Sequence, residues 1–331
     1  MFRAQLKYRD TIIFDLHAEQ VFMSIGSDSP IQKGVKITHL NNEPIDNLKK
    51  TSTSISEKNV IIDFSNILSI QNNLHNHFKT ILEQLLSQNK NIYLTNLLKN
   101  VYLKLKLKNT LTELKIKGVE LNNFNEIIVI KGNALEQSYN IFKENIFSSI
   151  FNDYLIRNSK NYNKTHSSSP VRLTKYIDIK GLIHEKTFFY YCIYKLAIKL
   201  RENFFIEDKT KKVFFCQTLN GAFIASFLAE LLNMDIAFLD HIGPINKLYG
   251  PNLSNRIKLN TEYIIVSDVV CLGTELQVAK NIIEYRGGKY SGNVNVVRIK
   301  TLSDNKYENE FSLFLLSKEN NLIDYKIEID L

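Results

Sequence analysis

The chain contains no tryptophan, little proline or glycine, and no long apolar run. Its 331 residues include 12 glycines and 5 prolines beside abundant Asn, Lys and Ile, a usage that is typical of an AT-rich genome. No apolar stretch approaches the roughly 20 residues of a membrane-spanning helix. The N-terminal stretch MFRAQLKYRDTII lacks the apolar core and small-residue cleavage site of a secretory signal. The sequence therefore favours a globular, cytoplasmic protein.

Cysteine and histidine are too sparse for a disulfide framework or a metal centre. The 3 cysteines, Cys192, Cys216 and Cys271, are far apart and odd in number, which indicates reduced thiols. There is no Cys-x-x-Cys pair, and His75 and His77 would point to different faces of a helix. We expect no metal ion to be held by protein side chains alone.

The formal net charge of +8 attracts anionic ligands, but it does not distinguish a nucleotide from a nucleic acid or an acidic partner. Five lysines lie close together: Lys104, Lys106, Lys108, Lys115 and Lys117. On a strand they would form one basic face, and on a helix they would spread around the axis. A solvated edge that limits sheet pairing is favoured over a binding track for a phosphate backbone.

The first part of the chain predicts a small α/β domain, assigned to residues 1–134. Apolar runs and helical spacing alternate, with strands expected at 11–14, 21–25, 35–40, 59–64, 91–95 and 127–130. Residues 11–131 resemble the STAS domains, small regulatory modules with an Asp-Ser pair in a loop before a helix. The corresponding loop from Ser69 to Asn73 has no clear phospho-acceptor. The resemblance implies a regulatory domain that binds a protein partner.

The second part predicts a larger domain at 171–331, after a connecting helix and a polar, Ser-rich linker at 135–170. Strands are expected at 173–179, 212–216, 235–239, 263–266, 293–300 and 311–316. Helices of about 11–16 residues between them predict an open, mainly parallel sheet with helices on both faces. In such sheets, ligands bind at the carboxyl ends of the strands.

The segment YIIVSDVVCLGTEL, residues 263–276, is the most informative part of the sequence. Four apolar residues are followed by Ser267 and Asp268, and Cys271, Gly273 and Thr274 form a turn before a helix expected to start at 275. Free amides at a helix N-terminus bind anions, and an acid just before them can hold ribose hydroxyls. The spacing is equally compatible with an ordinary strand–turn–helix.

Four segments in order resemble the type I phosphoribosyltransferases, orotate phosphoribosyltransferases in particular. RLTKYIDIKGL is similar to a substrate-side Tyr-x-Asp-x-Arg core, with Tyr176, Asp178 and Lys180 at those positions and Lys in place of Arg. CQTLNGAFIA resembles the loop that approaches pyrophosphate. Gly221 stands at its close-approach position, and Asn220 stands where the family usually has Lys.

The other two segments are KLYG, similar to the end of the mobile catalytic loop, and SDVVCLGT, similar to the motif that binds phosphoribosyl pyrophosphate (PRPP). Lys247 matches the mobile lysine, and Asp268, Gly273 and Thr274 match the PRPP motif. The resemblance implies that a nitrogenous base attacks the anomeric carbon of PRPP while pyrophosphate leaves. Mg²⁺ would bridge the ribose and the pyrophosphate.

Several charged positions of the family are replaced in this chain. Ser267 replaces the first acid, Cys271 replaces a Thr, and Gly243-Pro244-Ile245 replaces Arg-Lys-Glu. Each lost charged hydrogen bond is worth about 1.5–3 kcal/mol, so several losses remove powers of ten in rate. Binding through backbone amides suffers less, so the sequence predicts ligand binding rather than full transferase activity.

Three functions stay open. The first is a degenerate sensor or regulatory protein that binds PRPP or a nucleotide. The second is an active, diverged transferase of a stress or phage-defence setting, with Lys247 and Asp268 as catalytic residues and Mg²⁺ supplied with PRPP. The third is an interaction protein with a vestigial pocket that binds a protein or a nucleic acid through its lysines. The family resemblance also implies a homodimer.

Overall fold

The computed structural model describes residues 4–16, 39–116, 119, 127–134, 138–165, 171–177, 179–204, 212–232, 234–239, 256–271, 273–299, 309–316 and 327–329. The chain divides into two compact units, Met1–Phe151 and Asn152–Leu331, called unit 1 and unit 2 below. This division falls within a helix. The domain bounds predicted from the sequence stay a prediction.

Unit 1 is built on a five-stranded sheet. The strands of this unit are β1 (Gln5–Tyr8), β2 (Thr11–Asp15), β3 (His39–Leu40), β4 (Asn59–Asp63), β5 (Ser69–Ile70), β6 (Asn91–Thr95) and β7 (Ile128–Lys131). The helices are α1 (Asn42–Ser52), α2 (Leu74–Ser87), α3 (Lys99–Lys104), α4 (Leu107–Glu113) and α5 (Tyr139–Asn158), which crosses into unit 2. The sheet order is β1-β2-β4-β6-β7, and β3 pairs with β5 separately.

The three central strands of unit 1 are parallel, and the outer two are antiparallel to their neighbours. β2, β4 and β6 read TIIFD, NVIID and NIYLT, and their apolar residues are buried on both faces. Such runs are typical of parallel strands covered by helices. Each run ends in a polar residue, Asp15, Asp63 or Thr95, at the carboxyl edge of the sheet.

Unit 2 contains an all-parallel five-stranded sheet. The strands are β8 (Ser159–Thr165), β9 (Val171–Ile177), β10 (Lys212–Cys216), β11 (Asp235–Phe238), β12 (Glu262–Val270), β13 (Lys289–Ile299), β14 (Glu310–Leu316) and β15 (Ile327–Ile329). The helices are α6 (Ile179–His184), α7 (Lys186–Phe204), α8 (Leu219–Leu232) and α9 (Thr274–Tyr285). The parallel sheet has the order β11-β10-β12-β13-β14. A separate antiparallel sheet has the order β15-β9-β8.

Helices lie on both faces of the parallel sheet. Phe215 and Ile265 pack with Ala279 and Ile283 of α9 in one buried cluster. Their neighbours along the strands point to the opposite face, where α8 packs against β10 and β12 and also contacts α7. The predicted fold class, an α/β protein with a mainly parallel sheet and helices on both faces, is confirmed.

Two local expectations differ from the structure. The segment predicted as a polar linker contains β8, because residues 159–165 pair with β9 in an antiparallel ladder. The lysines do not form one strand face, because Lys104 ends α3 and Lys108 lies in α4. Lys106 between the helices has a left-handed backbone, with φ of 47°. The weak strands predicted at 21–25 and 35–38, and Lys117, lie outside the described residues.

Candidate phosphate-binding site

The sheet of unit 2 reverses its winding direction between β10 and β12. If its strands are numbered 1 to 5 in chain order, their order across the sheet is 2-1-3-4-5. In open parallel sheets of this order, the crevice at the carboxyl ends of the first and third strands is where ligands bind. β10 leads into α8 and β12 leads into α9, so two helix N-termini begin at this crevice. Both helix dipoles thus place positive charge there.

The first turn of α8 lies very close to β12. Thr218 precedes the helix, and its Oγ1 accepts a hydrogen bond of 3.0 Å from the backbone N–H of Gly221. An added Cβ on Gly221 would stand 2.6 Å from the carbonyl oxygen of Val266 and 3.0 Å from the Thr218 hydroxyl. Only glycine fits this helix–strand contact. The expected close approach of Gly221 to a ligand stays a prediction.

One hydrogen bond joins the two sides of the crevice. Nδ2 of Asn220, in the first turn of α8, donates to Oδ2 of Asp268 at 2.6 Å. Both side chains are half-buried. Asp268 lies within β12, which continues to Val270, so the expected strand end at Val266 is wrong. The strand is longer because Ser267, Val269 and Val270 keep pairing with β13.

The first turn of α9 begins with a glycine. Its N-cap is Gly273, which is buried, has φ of 75° and has no side chain to make a capping hydrogen bond. The helix begins at Thr274, one residue before the predicted start at 275. The left-handed N-cap is a conformation that glycine adopts without strain. Because a glycine N-cap contributes no side-chain acceptor of its own, this end of the helix suits an anionic ligand.

Gln217 belongs to the crevice and was not predicted. It follows β10 directly, and its Nε2 donates to the backbone carbonyl of Glu275 at 3.0 Å. This bond ties the end of β10 to the first turn of α9. Its Oε1 is buried with no hydrogen-bond partner among the described residues. Its position directly after a buried strand was the signal that could have identified it.

The turn between β12 and α9 carries a neutral thiol. Cys271 is half-buried, and burial raises its pKa to about 11. The side chain is therefore uncharged at neutral pH and adds no repulsion to an anion. Ser267 is half-buried, and Glu275 and Thr274 are exposed. Asp268 is the single carboxylate between residues 267 and 274.

The crevice brings together seven of the predicted site residues: Asn220, Gly221, Ser267, Asp268, Cys271, Gly273 and Thr274. Tyr176 lies in β9 and Lys180 in α6, and only their backbones are described. Asp178 and Lys247 lie outside the described residues. The roles predicted for all eleven residues stay predictions.

Solved phosphoribosyltransferases align with about half of the chain. An orotate phosphoribosyltransferase from Aeropyrum pernix is 16% identical, covers 50% of this chain and 93% of its own, and has a TM-score of 0.38. An adenine phosphoribosyltransferase from Thermoanaerobacter pseudethanolicus is 17% identical over 43% and 88% of the two chains, with a TM-score of 0.35. A further adenine phosphoribosyltransferase is 18% identical over 49% and 99%, with a TM-score of 0.39.

These identities and TM-scores are too low to transfer the role of any residue. No protein-family model matches the chain, and no curated protein does. Within the described part of the chain, no helix has the length and apolar character needed to cross a bilayer.

Proposed function

We propose that unit 2 binds the phosphoribosyl group of PRPP or of a nucleotide at the crevice between β10 and β12, and that the protein acts as a sensor or regulatory component. The observation that carries this proposal is the Asn220–Asp268 hydrogen bond beside the N-terminus of α9, whose N-cap is a glycine in the left-handed conformation. The amides of the α9 turn would hold the phosphate. Asp268 would accept hydrogen bonds from ribose hydroxyls, which a carboxylate does more strongly than a neutral group.

The groups present at the crevice favour ligand binding over full catalysis. Backbone amides and a helix dipole hold a phosphate in the ground state. Transferase chemistry needs further charge to stabilise the departing pyrophosphate. The neutral Asn220 bound to Asp268 adds no positive charge at that point. The STAS-like pattern over residues 11–131 supports a regulatory role for unit 1.

Magnesium fits this site only if it arrives with the ligand. Mg²⁺ is ordinarily held by one or two carboxylates together with substrate phosphates, and Asp268 is a suitable single carboxylate. The described residues contain no group of three His, Cys, Asp or Glu side chains that could hold an ion alone. The ion would neutralise the pyrophosphate of PRPP when bound.

Calorimetry tests the binding proposal. The full chain is titrated with PRPP in the presence and absence of Mg²⁺, with ribose 5-phosphate, and with nucleoside monophosphates. Asp268→Asn should weaken binding about 10-fold or more, because a charged hydrogen bond is worth about 1.5–3 kcal/mol. Glu284→Gln, in the last turn of α9, is the control and should leave affinity unchanged. No heat at millimolar concentrations of any ligand would refute the proposal.

Product analysis separates a sensor from a transferase. A sensor returns PRPP intact after incubation with Mg²⁺ and a panel of nucleobases. Release of pyrophosphate that Asp268→Ala abolishes would identify a diverged transferase instead. Light scattering tests the homodimer, and steeply salt-dependent retention of a polyanion would favour the interaction protein.

A further inference from the structure

Three polar side chains stand in a row at the carboxyl edge of the unit 1 sheet. Asp15, Asp63 and Thr95 are the last residues of β2, β4 and β6, and the strand register pairs Asp15 with Asp63 and Asp63 with Thr95. Residues that are paired across adjacent parallel strands project from the same face of the sheet. Their exposed fractions are 0%, 1% and 1%. None of the three belongs to the predicted site.

Helix α5 closes this edge with an ammonium group. Nζ of Lys143 lies 2.5 Å from Oδ1 of Asp15 and 2.6 Å from Oδ2 of Asp63. Lys143 is only 8% exposed. One turn earlier in α5, the hydroxyl of Tyr139 donates to Oδ2 of Asp63 at 2.8 Å. The two side chains fix the first half of α5 to the sheet edge.

Asp63 accepts further hydrogen bonds besides those from α5. Asp63 also accepts hydrogen bonds of 2.9 Å from Nδ2 of Asn96 and from the backbone N–H of Ser65. Burial alone would raise the pKa of Asp63, but the charge of Lys143 and these hydrogen bonds outweigh burial and lower the pKa below its ordinary value. Asp63 therefore stays ionised.

Asp15 is the aspartate of the pair whose pKa is raised. Burial raises the pKa of Asp15 to about 6, and the charge of Asp63 adds to this while Lys143 opposes it. Burial alone would lower the pKa of Lys143, but the two aspartates raise it above its ordinary value. Burial also raises the pKa of Tyr139. Of the four groups Asp15, Asp63, Tyr139 and Lys143, Asp15 is thus the one that titrates near neutral pH.

We propose that this cluster is a proton-operated latch, in which Asp15 takes up a proton while α5 is seated on the sheet edge and releases it when α5 lifts away. The seated state brings two carboxylates to one ammonium group with almost no water. Lifting α5 returns both carboxylates to solvent, where their ordinary affinity for protons is restored. The seated state therefore binds the proton more tightly, and acidification from neutral pH strengthens the seating of α5.

Hydrogen exchange of α5 tests the latch on the full chain. Protection of peptides that cover residues 139–151, corrected for intrinsic exchange, is measured between about pH 3.5 and 7.5. The shift of Asp15 from 3.8 to about 6 corresponds to about a 100-fold loss of protection over the whole titration as pH rises. Asp15→Asn, a neutral residue of the same shape, should remove this pH dependence. Asp153→Asn, an exposed acid of the same helix, is the control and should keep it.

The outcomes are distinct. A wild-type profile that is flat or rises with pH overturns the latch, and so does an Asp15→Asn profile that follows wild type. If Asp15→Asn does not fold, infrared titration of the wild-type protein replaces it. A protonated-carboxyl band that disappears near about pH 6 supports the proposal, whereas a band already lost near the ordinary aspartate range of about pH 4 overturns it.

Discussion

Gly221 lies against the main chain of β12, so that a Cβ on this residue would stand 2.6 Å from the carbonyl oxygen of Val266. The contact seats the first turn of α8 on the strand. It thereby sets the distance over which Asn220 reaches Asp268. The absence of a side chain on Gly221 thus controls the width of the candidate site.

We expect Gly221→Ala to lower the free energy of unfolding by about 1–3 kcal/mol, because the new methyl group overpacks a backbone contact. The loss in stability should appear although alanine has a helix propensity about 1 kcal/mol more favourable than that of glycine. Urea denaturation measures it. Gly288→Ala is the matched control, since its Cβ would meet only side chains, at 3.0 Å. An equal loss in both variants would contradict this account.

If the crevice binds a phosphoribosyl group, restoring the family's residues should strengthen binding of PRPP with Mg²⁺. The triple variant Asn220→Lys, Ser267→Asp and Cys271→Thr adds charged and hydroxyl donors or acceptors at the three replaced positions. One charged hydrogen bond of about 1.5–3 kcal/mol gives at least about a 10-fold gain. Calorimetry at two ionic strengths should show the gain shrinking with salt. Asn281→Lys, on the exposed side of α9, adds the lysine charge of the triple variant away from the crevice, and an equal gain there would exclude a site-specific effect.

Lys143→Met should destabilise unit 1 by about 3–5 kcal/mol, because it leaves two buried carboxylates without their ammonium group. Adding Asp15→Asn should recover part of the loss, since one of the two buried charges is then removed. Thermal and urea unfolding measure both. Lys79→Met, which breaks exposed ion pairs with Glu113 and Glu83, is the control and should change little. Equal effects of the two lysine variants would contradict the burial argument.

The stability of unit 1 should be greatest near about pH 4. The pKa of Asp15 is raised to about 6, so its contribution is fully present below 3.8 and is lost as pH rises through 6, by about 3 kcal/mol. The pKa of Asp63 is lowered despite burial, so its contribution is present above about 4 and is lost as pH falls. The urea concentration at the midpoint of unfolding should decrease on both the acid and the neutral side of this maximum. Asp15→Asn should flatten the neutral side and Asp63→Asn the acid side, and the opposite assignment would contradict the structure.

Alkylation of the folded protein at about pH 8 should be slow at all three cysteines. Burial raises the pKa of Cys271 to about 11 and that of Cys216 to about 12, and it raises the pKa of Cys192 well above its ordinary value. Because the thiolate is the reactive form, each reacts far more slowly than an unfolded thiol. Half-buried Cys271 should react first, as mass spectrometry of iodoacetamide-treated protein would show. Under the proposed function, PRPP with Mg²⁺ should slow Cys271 further; a fast reaction at buried Cys192 would contradict the structure.

The buried strands could be predicted from the sequence, but their ends could not. Four apolar residues in a row at 263–266 are typical of a strand buried on both faces. β12 nevertheless continues to Val270, because β13 supplies pairing partners as far as Arg298. The length of a partner strand is not encoded in the residues of the strand that it pairs with.

Polar residues that become neighbours only in the folded chain were equally hard to predict. Asn220 and Asp268 are 48 residues apart, and the sequence indicates that both belong to a site without indicating that they bind each other. Asp15 and Asp63 each end an apolar run, where a polar residue ordinarily marks the exposed end of a strand. Strand register and the placement of Lys143 turn these two ends into a buried ion cluster.

The order of the parts along the chain has a consequence for synthesis on the ribosome. All five strands of the unit 1 sheet precede Lys143, and domains generally fold from the N-terminus as they emerge. The nascent sheet therefore carries two uncovered aspartates at one edge until α5 has been translated. During that interval this edge of the nascent sheet carries negative charge that solvent, ions or a chaperone must accommodate, until Lys143 is translated and α5 covers the edge.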